Sequence, residues 1–174
     1  MAHLDDFGVL TIANMALSYI GARQLINDLN EDSPEAQQVR LWYDRMRAQA
    51  LQAYDWNFAR KRSAGTKSSI DPPDYDWAFR YNYPFDALSI RKIEHPLGHQ
   101  ADAIPFNIEN DGSNKSIVTN MDVAILVYTY DLNDTSQFSP LFSEMLAVGI
   151  AAKIAFTLTG RGELMQALND QSRL

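Results

Sequence analysis

Two histidines four residues apart, His95 and His99, have the spacing that places two imidazoles on one helical face and could hold a metal ion. Pro96 and Gly98 lie between them, so the segment reads as a loop and no metal is expected there. His3 stands at the start of the chain and has no partner by spacing. Carboxylates are the next candidates. Glu31-Asp32, the set Asp71, Asp74 and Asp76, and the pair Glu109 and Asp111 could in principle cleave a glycosidic bond. That chemistry needs two carboxyls roughly 5 to 10 Å apart, one of them with a pKa raised by burial. All of these acids fall in polar turns containing Pro, Gly or Asn, where water keeps a carboxyl ordinary. There is no cysteine, which removes disulfides, thiolate chemistry and cysteine metal sites. No Gly-x-Ser-x-Gly, P-loop or Gly-x-Gly-x-x-Gly pattern occurs. The residues therefore predict no enzyme, no cofactor and no metal.

The formal net charge is −7, a poor basis for general DNA binding, because phosphate contacts depend on Lys and Arg. The positive charge is concentrated. Arg40, Arg45, Arg47, Arg60, Lys61 and Arg62 fall in one stretch that holds only two acids, Asp44 and Asp55. Arg45 and Arg47 are two apart and cannot share a helical face. A solvated face, salt bridges between subunits, or contact with DNA or an acidic partner would each account for the stretch.

The elements that must carry these residues are helical at both ends. Phe7, Leu10, Ala13, Leu17 and Ile20 step by three and four, which predicts a helix over 5–22, with Asp5 or Asp6 capping it and Gly21 ending it. Ser33-Pro34-Glu35 is a strong helix start. Ala36, Val39, Tyr43, Met46, Ala50 and Ala53 then form one stripe, with the helix reaching Tyr54 and extending toward Arg60. Leu41, Trp42 and Leu51 lie off the stripe and suggest a helix touched on more than one side. The stretch 63–76 is Ser-, Gly- and Pro-containing and reads as a linker. Four short strands are predicted at 88–93, 104–109, 116–119 and 123–130. Asp111-Gly112 makes a hairpin turn, and Pro105 marks an edge strand. Ser139-Pro140 starts a second well-marked helix, apolar on neighbouring stripes and so central to the core. Gly160 and Gly162 break it before a last short helix over 163–173. No apolar run approaches the roughly 20 residues of a membrane span, and no secretion signal is seen.

The order of these pieces, with four short blocks, resembles the head-to-tail adaptor proteins of short-tailed bacteriophages, the group that includes tail tubular protein A and the tail accessory adaptors. The first block is Asn14-Met15-Ala16-Leu17-Ser18-Tyr19-Ile20-Gly21. The second is Asp32-Ser33-Pro34-Glu35-Ala36, followed by Tyr43 and by Trp56-Asn57-Phe58-Ala59. The third is Tyr81-x-x-Pro84-x-Asp86-x-Leu88. The fourth is Tyr128-x-Tyr130, then Phe138-Ser139-Pro140-Leu141-Phe142 and the Ala-rich helix ending Leu158-Thr159-Gly160. Each is short; the ordered set spans nearly the whole chain. The family continues past its last helix into an extension that grips the portal, whereas the sequence in hand ends at Leu174.

The fold expected is mainly α within an α+β class: a helical bundle with a small antiparallel β insertion between the second and third long helices. One adaptor domain would occupy residues 1–174, with 1–62 and 138–174 helical and the insertion at 85–131. The resemblance implies a virion protein at the head-to-tail junction, made in the host cytoplasm. It would dock on the portal protein and extend the DNA channel, offering a platform to the next nozzle or tail tubular protein. It would form a ring of about twelve copies with itself, pass DNA through the lumen without specific binding and touch no membrane. Gly21, Ser33, Pro34, Trp56, Phe58, Pro84, Asp86, Ser139 and Pro140 are the motif residues, with packing or turn-forming roles. Trp42, Arg45, Arg60, Arg62 and Arg173 are the candidates for a subunit or portal interface. A tail-associated peptidoglycan-degrading enzyme and a helical interaction module unrelated to phages are the alternatives.

Overall fold

The computed structural model describes residues 6–70, 72, 76–98, 103–110, 112 and 114–171. Helix α1 spans Asp6–Tyr19 and α2 spans Pro34–Ala53. Six strands follow: β1 Arg60–Ala64, β2 Phe79–Asn82, β3 Ala87–Glu94, β4 Phe106–Asn110, β5 Lys115–Thr119 and β6 Ile125–Tyr130. The chain closes with α3, Pro140–Thr159, and α4, Gly162–Gln171. It divides into two compact units, one of residues 1–54 and 132–174, the other of residues 55–131.

In the helical unit, α3 packs on α1, α2 and α4. Its start follows from two residues. The Ser139 hydroxyl accepts from the Phe142 N–H at 3.2 Å, and Pro140 occupies the first turn, where no N–H is needed. Ser33 and Pro34 repeat the arrangement at α2, with Ser33 accepting from Ala36. Gly160 ends α3 in the left-handed region at φ 68°, donating its N–H to the Phe156 carbonyl. With two charged residues in twenty, Glu144 and Lys153, α3 is long and apolar enough to cross a membrane by length and composition. This corrects the expectation that no apolar run reaches such a length. Much of the helix is buried, with Phe142, Leu146, Ile150 and Ile154 inaccessible, as suits a core helix.

The strand unit overturns the expected bundle with a small insertion. The protein is α+β, with two three-stranded antiparallel sheets, ordered β1-β6-β3 and β2-β5-β4. The strands have a core of their own, in which Tyr81, Ile90, Ile93, Ile117, Leu126 and Tyr128 from both sheets pack together. Two strands were absent from the sequence reading for a physical reason. β1 reads Arg-Lys-Arg-Ser-Ala and lacks alternating apolar residues; its register against β6, Arg60 opposite Thr129 through Ala64 opposite Ile125, is fixed by pairing partners. β2 reads Phe-Arg-Tyr-Asn, and its Arg80 is buried where a pattern of apolar residues would put an aliphatic one. The expected linker over 63–76 is likewise partly structured. Gly65 N–H donates to the Ala124 carbonyl, Ser68 N–H to Arg80 and Asn82 N–H to Thr66. A Cβ on Gly65 would stand 2.6 Å from the Tyr81 ring, so the chain passes the core there as a glycine. Helix α2 also stops at Ala53, short of Arg60; Trp56 and Phe58 flank a 3₁₀ turn over Asn57–Ala59 instead. The β4–β5 hairpin pairs Asn110 with Lys115, and β4 is an edge strand, as Pro105 suggests.

Candidate functional site

The basic run Arg60-Lys61-Arg62 lies on β1, and each cation meets a carboxylate of the same unit. Arg60 makes two bonds to Asp55, at 3.0 and 2.6 Å. Lys61 reaches Asp86 at 2.8 Å, and Arg62 reaches Glu94 at 3.0 Å. Intramolecular pairing therefore accounts for these three charges. Of the remaining basic residues, Arg45 is exposed on α2. Arg47 is buried and donates to the Leu132 carbonyl at 2.7 Å, holding the chain where it rejoins the helical unit. Arg40 donates to the carbonyls of Leu29 and Glu31.

Asp86 is the most connected of the motif residues. One carboxylate oxygen accepts from Lys61, the other from the Tyr128 hydroxyl at 3.1 Å. Burial works to raise its pKa, but the Lys61 and Tyr128 hydrogen bonds outweigh it and hold the carboxyl below its ordinary value. The Lys61 ammonium, raised by the same bond, also sits 3.9 Å over the Tyr130 ring. The Asp86 carbonyl accepts from Asp131, and the Pro84 carbonyl accepts from Ala87 at 3.0 Å, closing the turn between β2 and β3. Pro84 and Asp86 thus fix the turn from both sides. The residue between them, Phe85, is 102% exposed, the most accessible large apolar side chain among the described residues. It stood as an unspecified position in the motif; the signal available was an aromatic placed directly after a turn proline, where side chains face water.

On the helical unit, Trp42 is half-buried on α2 with the Lys153 ammonium 6.0 Å from its ring centre. A cavity of about 500 Å³ opens among α2, α3 and α4, lined by Met46, Ala50, Ala53, Met145, Gly149 and Lys153 among others. A Cβ on Gly149 would come 2.8 Å from the Met46 methyl, so the missing side chain gives Met46 its room. Tyr43 is buried beside a smaller cavity. Burial first, with Arg47 opposing and Asp44 adding, pushes its phenol up to about 12, and its hydroxyl has no hydrogen-bond partner among the described residues. Asn14 clasps the loop after α1 with two bonds of 3.0 Å to the backbone of Ile26. Gly21 turns that loop at φ 67°.

Among the described residues, the carboxyls whose pKa is shifted all move downward. Glu31, Glu94 and Asp134, like Asp86, lie below the ordinary carboxylate range. Ser33 does this for Glu31, Lys92 and Arg62 for Glu94, and Ser136 and Gln137 for Asp134. A general acid needs the opposite shift. Glu109 is paired with the buried Arg80 at 3.3 Å. His95 accepts from the Leu97 backbone in its loop. No group of three metal-ligating side chains occurs among the described residues. His3, Asp71, Asp74, His99, Asp111 and Arg173 lie outside them. The fold and site together define an α+β protein of two units whose basic run on β1 is paired within its own unit and whose turn at Phe85 presents an aromatic ring to solvent. Neither the family models nor the curated proteins match the chain.

Proposed function

We propose that this chain is a structural subunit of a short-tailed phage virion, a head-to-tail adaptor that docks on the portal ring, extends the DNA channel and carries the next tail component. The observation that carries the reading is the turn of the third motif block. There Pro84 and Asp86, the residues that link the sequence to the adaptors, hold Phe85 out into water in a fixed geometry. A rigid exposed aromatic is the kind of anchor that protein interfaces use, since it loses little conformational freedom on docking. The ion pairs of Arg60, Lys61 and Arg62 fit a part whose work is mechanical. A net charge of −7 per copy suits a channel past which DNA must slide without sticking.

Light scattering on the chain alone, and on the chain mixed with its candidate portal ring, tests this. The expected result is binding of the chain to the ring in near-equal stoichiometry. A chain that leaves the ring unchanged in mass overturns the proposal.

A further inference from the structure

We infer that Lys61 of β1 and Tyr128 of β6 are positioning residues for the Phe85 anchor: acting through Asp86, they set the direction in which the ring is presented to a partner. That the partner is a portal ring rests on the adaptor reading; the holding of the turn rests on geometry alone. Phe85 cannot hold itself, because its ring touches almost nothing of its own chain. The Pro84–Ala87 hydrogen bond of 3.0 Å closes the turn but does not aim it. An exposed ring on a turn that still swings loses freedom when it docks, and that loss weakens binding.

Asp86 supplies the aim. Its backbone carbonyl accepts from the Asp131 N–H at 2.8 Å, just past the end of β6. Its two carboxylate oxygens are divided between Tyr128 at 3.1 Å and Lys61 at 2.8 Å. Lys61 and Tyr128 stand opposite each other in the register of β1 and β6. In the order β1-β6-β3, the turn that opens β3 is therefore tied to both other strands of its sheet. The two partners are themselves held. The Tyr128 ring is packed in the core of the strand unit. The Lys61 ammonium lies 3.9 Å over the ring of Tyr130, two residues along the same face of β6. Strand β1, which has no apolar run to hold it, is secured on either side of Lys61 by the pairs Arg60–Asp55 and Arg62–Glu94. The basic run thus carries the ammonium that clamps the anchor turn. Tyr128 is buried and has no surface with which to meet a partner, so an effect on docking must be transmitted through the chain's own structure.

Two readouts on the full chain test this. In the free protein, amide hydrogen exchange followed by NMR reads the Ala87 and Asp131 N–H groups, whose acceptors belong to the turn. Tyr128→Phe and Lys61→Met are each expected to speed exchange at both sites by about tenfold, with Ile117 in the other sheet unchanged. With portal rings, Tyr128→Phe is expected to bind about tenfold more weakly than wild type. Combined with Phe85→Ala it should add nothing to the loss that Phe85→Ala causes, since a turn without its ring has nothing to aim. A merely structural role would cost the same in both backgrounds. Should Tyr128→Phe fail to fold, by circular dichroism, Lys61→Met carries the same comparison. Equal loss with and without Phe85, or wild-type exchange at Ala87 and Asp131 in both variants, overturns the inference. Undiminished portal binding by Phe85→Ala overturns it too, and leaves the adaptor reading standing. A wild-type chain that ignores the portal sinks the adaptor reading instead, and the exchange rates then decide the positioning role by themselves.

Discussion

Single residues in this protein show how burial decides the value of a polar group. The Tyr43 hydroxyl is desolvated without a hydrogen bond in return, so it costs stability instead of adding to it. Tyr43→Phe is therefore expected to be neutral or to stabilise by about 1 kcal/mol in urea melts. Its effect should grow in alkali. An unfolded tyrosine ionises from pH 10.0 while the buried one holds its proton to about 12, so wild-type stability falls across that window and the phenylalanine variant is spared this loss. Asp86 is the opposite case, a half-buried carboxylate whose hydrogen bonds favour the charged form. Asp86→Asn should cost about 1–2 kcal/mol at neutral pH. The stabilisation exists above the ordinary value of 3.8 and disappears as pH falls through the lower folded-state value. Melts at pH 7 and at about pH 2 should show the variant and wild type converging in acid. An equal deficit at both would mean that the aspartate acts through packing.

At the scale of the element, helix starts and the strands β3 to β6 were readable, and the polar strands β1 and β2 were not. Ser33-Pro34 and Ser139-Pro140 work through bonds within four residues, and such local chemistry needs no knowledge of the rest of the chain. Ser139→Ala should cost about 1 kcal/mol, read as a drop in midpoint on thermal denaturation, because α3 then begins with an unsatisfied N–H. The edge strand β1 shows the converse. Its pairing is set by β6 opposite it and by acids 5 to 32 positions away, at Asp55, Asp86 and Glu94. The α2 stripe was drawn through apolar residues alone and so missed Arg47, whose buried guanidinium sits on the same face as Leu51, four residues on. The candidate site was half legible: Pro84 and Asp86 were picked out by resemblance, but the partners that hold Asp86, Lys61 and Tyr128, lie 25 and 42 positions from it.

At the scale of the whole molecule, residues 55–131 form a unit with its own core, and the ends of that unit lie side by side where Arg60 pairs with Thr129. A segment whose ends are adjacent and whose core is internal can be cut out with little cost. The excised 55–131 fragment is expected to give a strand-type circular dichroism spectrum and a cooperative melt. A random-coil spectrum would mean that the strands depend on the helices for their stability. What the sequence alone determined is the local part: where α2 and α3 start, where Gly21 and Gly160 turn the chain, which hairpin β4 and β5 make, and the acidic balance. Each is governed by neighbours within a few residues or by composition. Only the tertiary structure decided that the strands form two sheets with a separate core, that the basic run is neutralised, and that Phe85 is left in water. Those outcomes depend on groups far apart in sequence, and long-range pairing leaves no periodic trace in either partner.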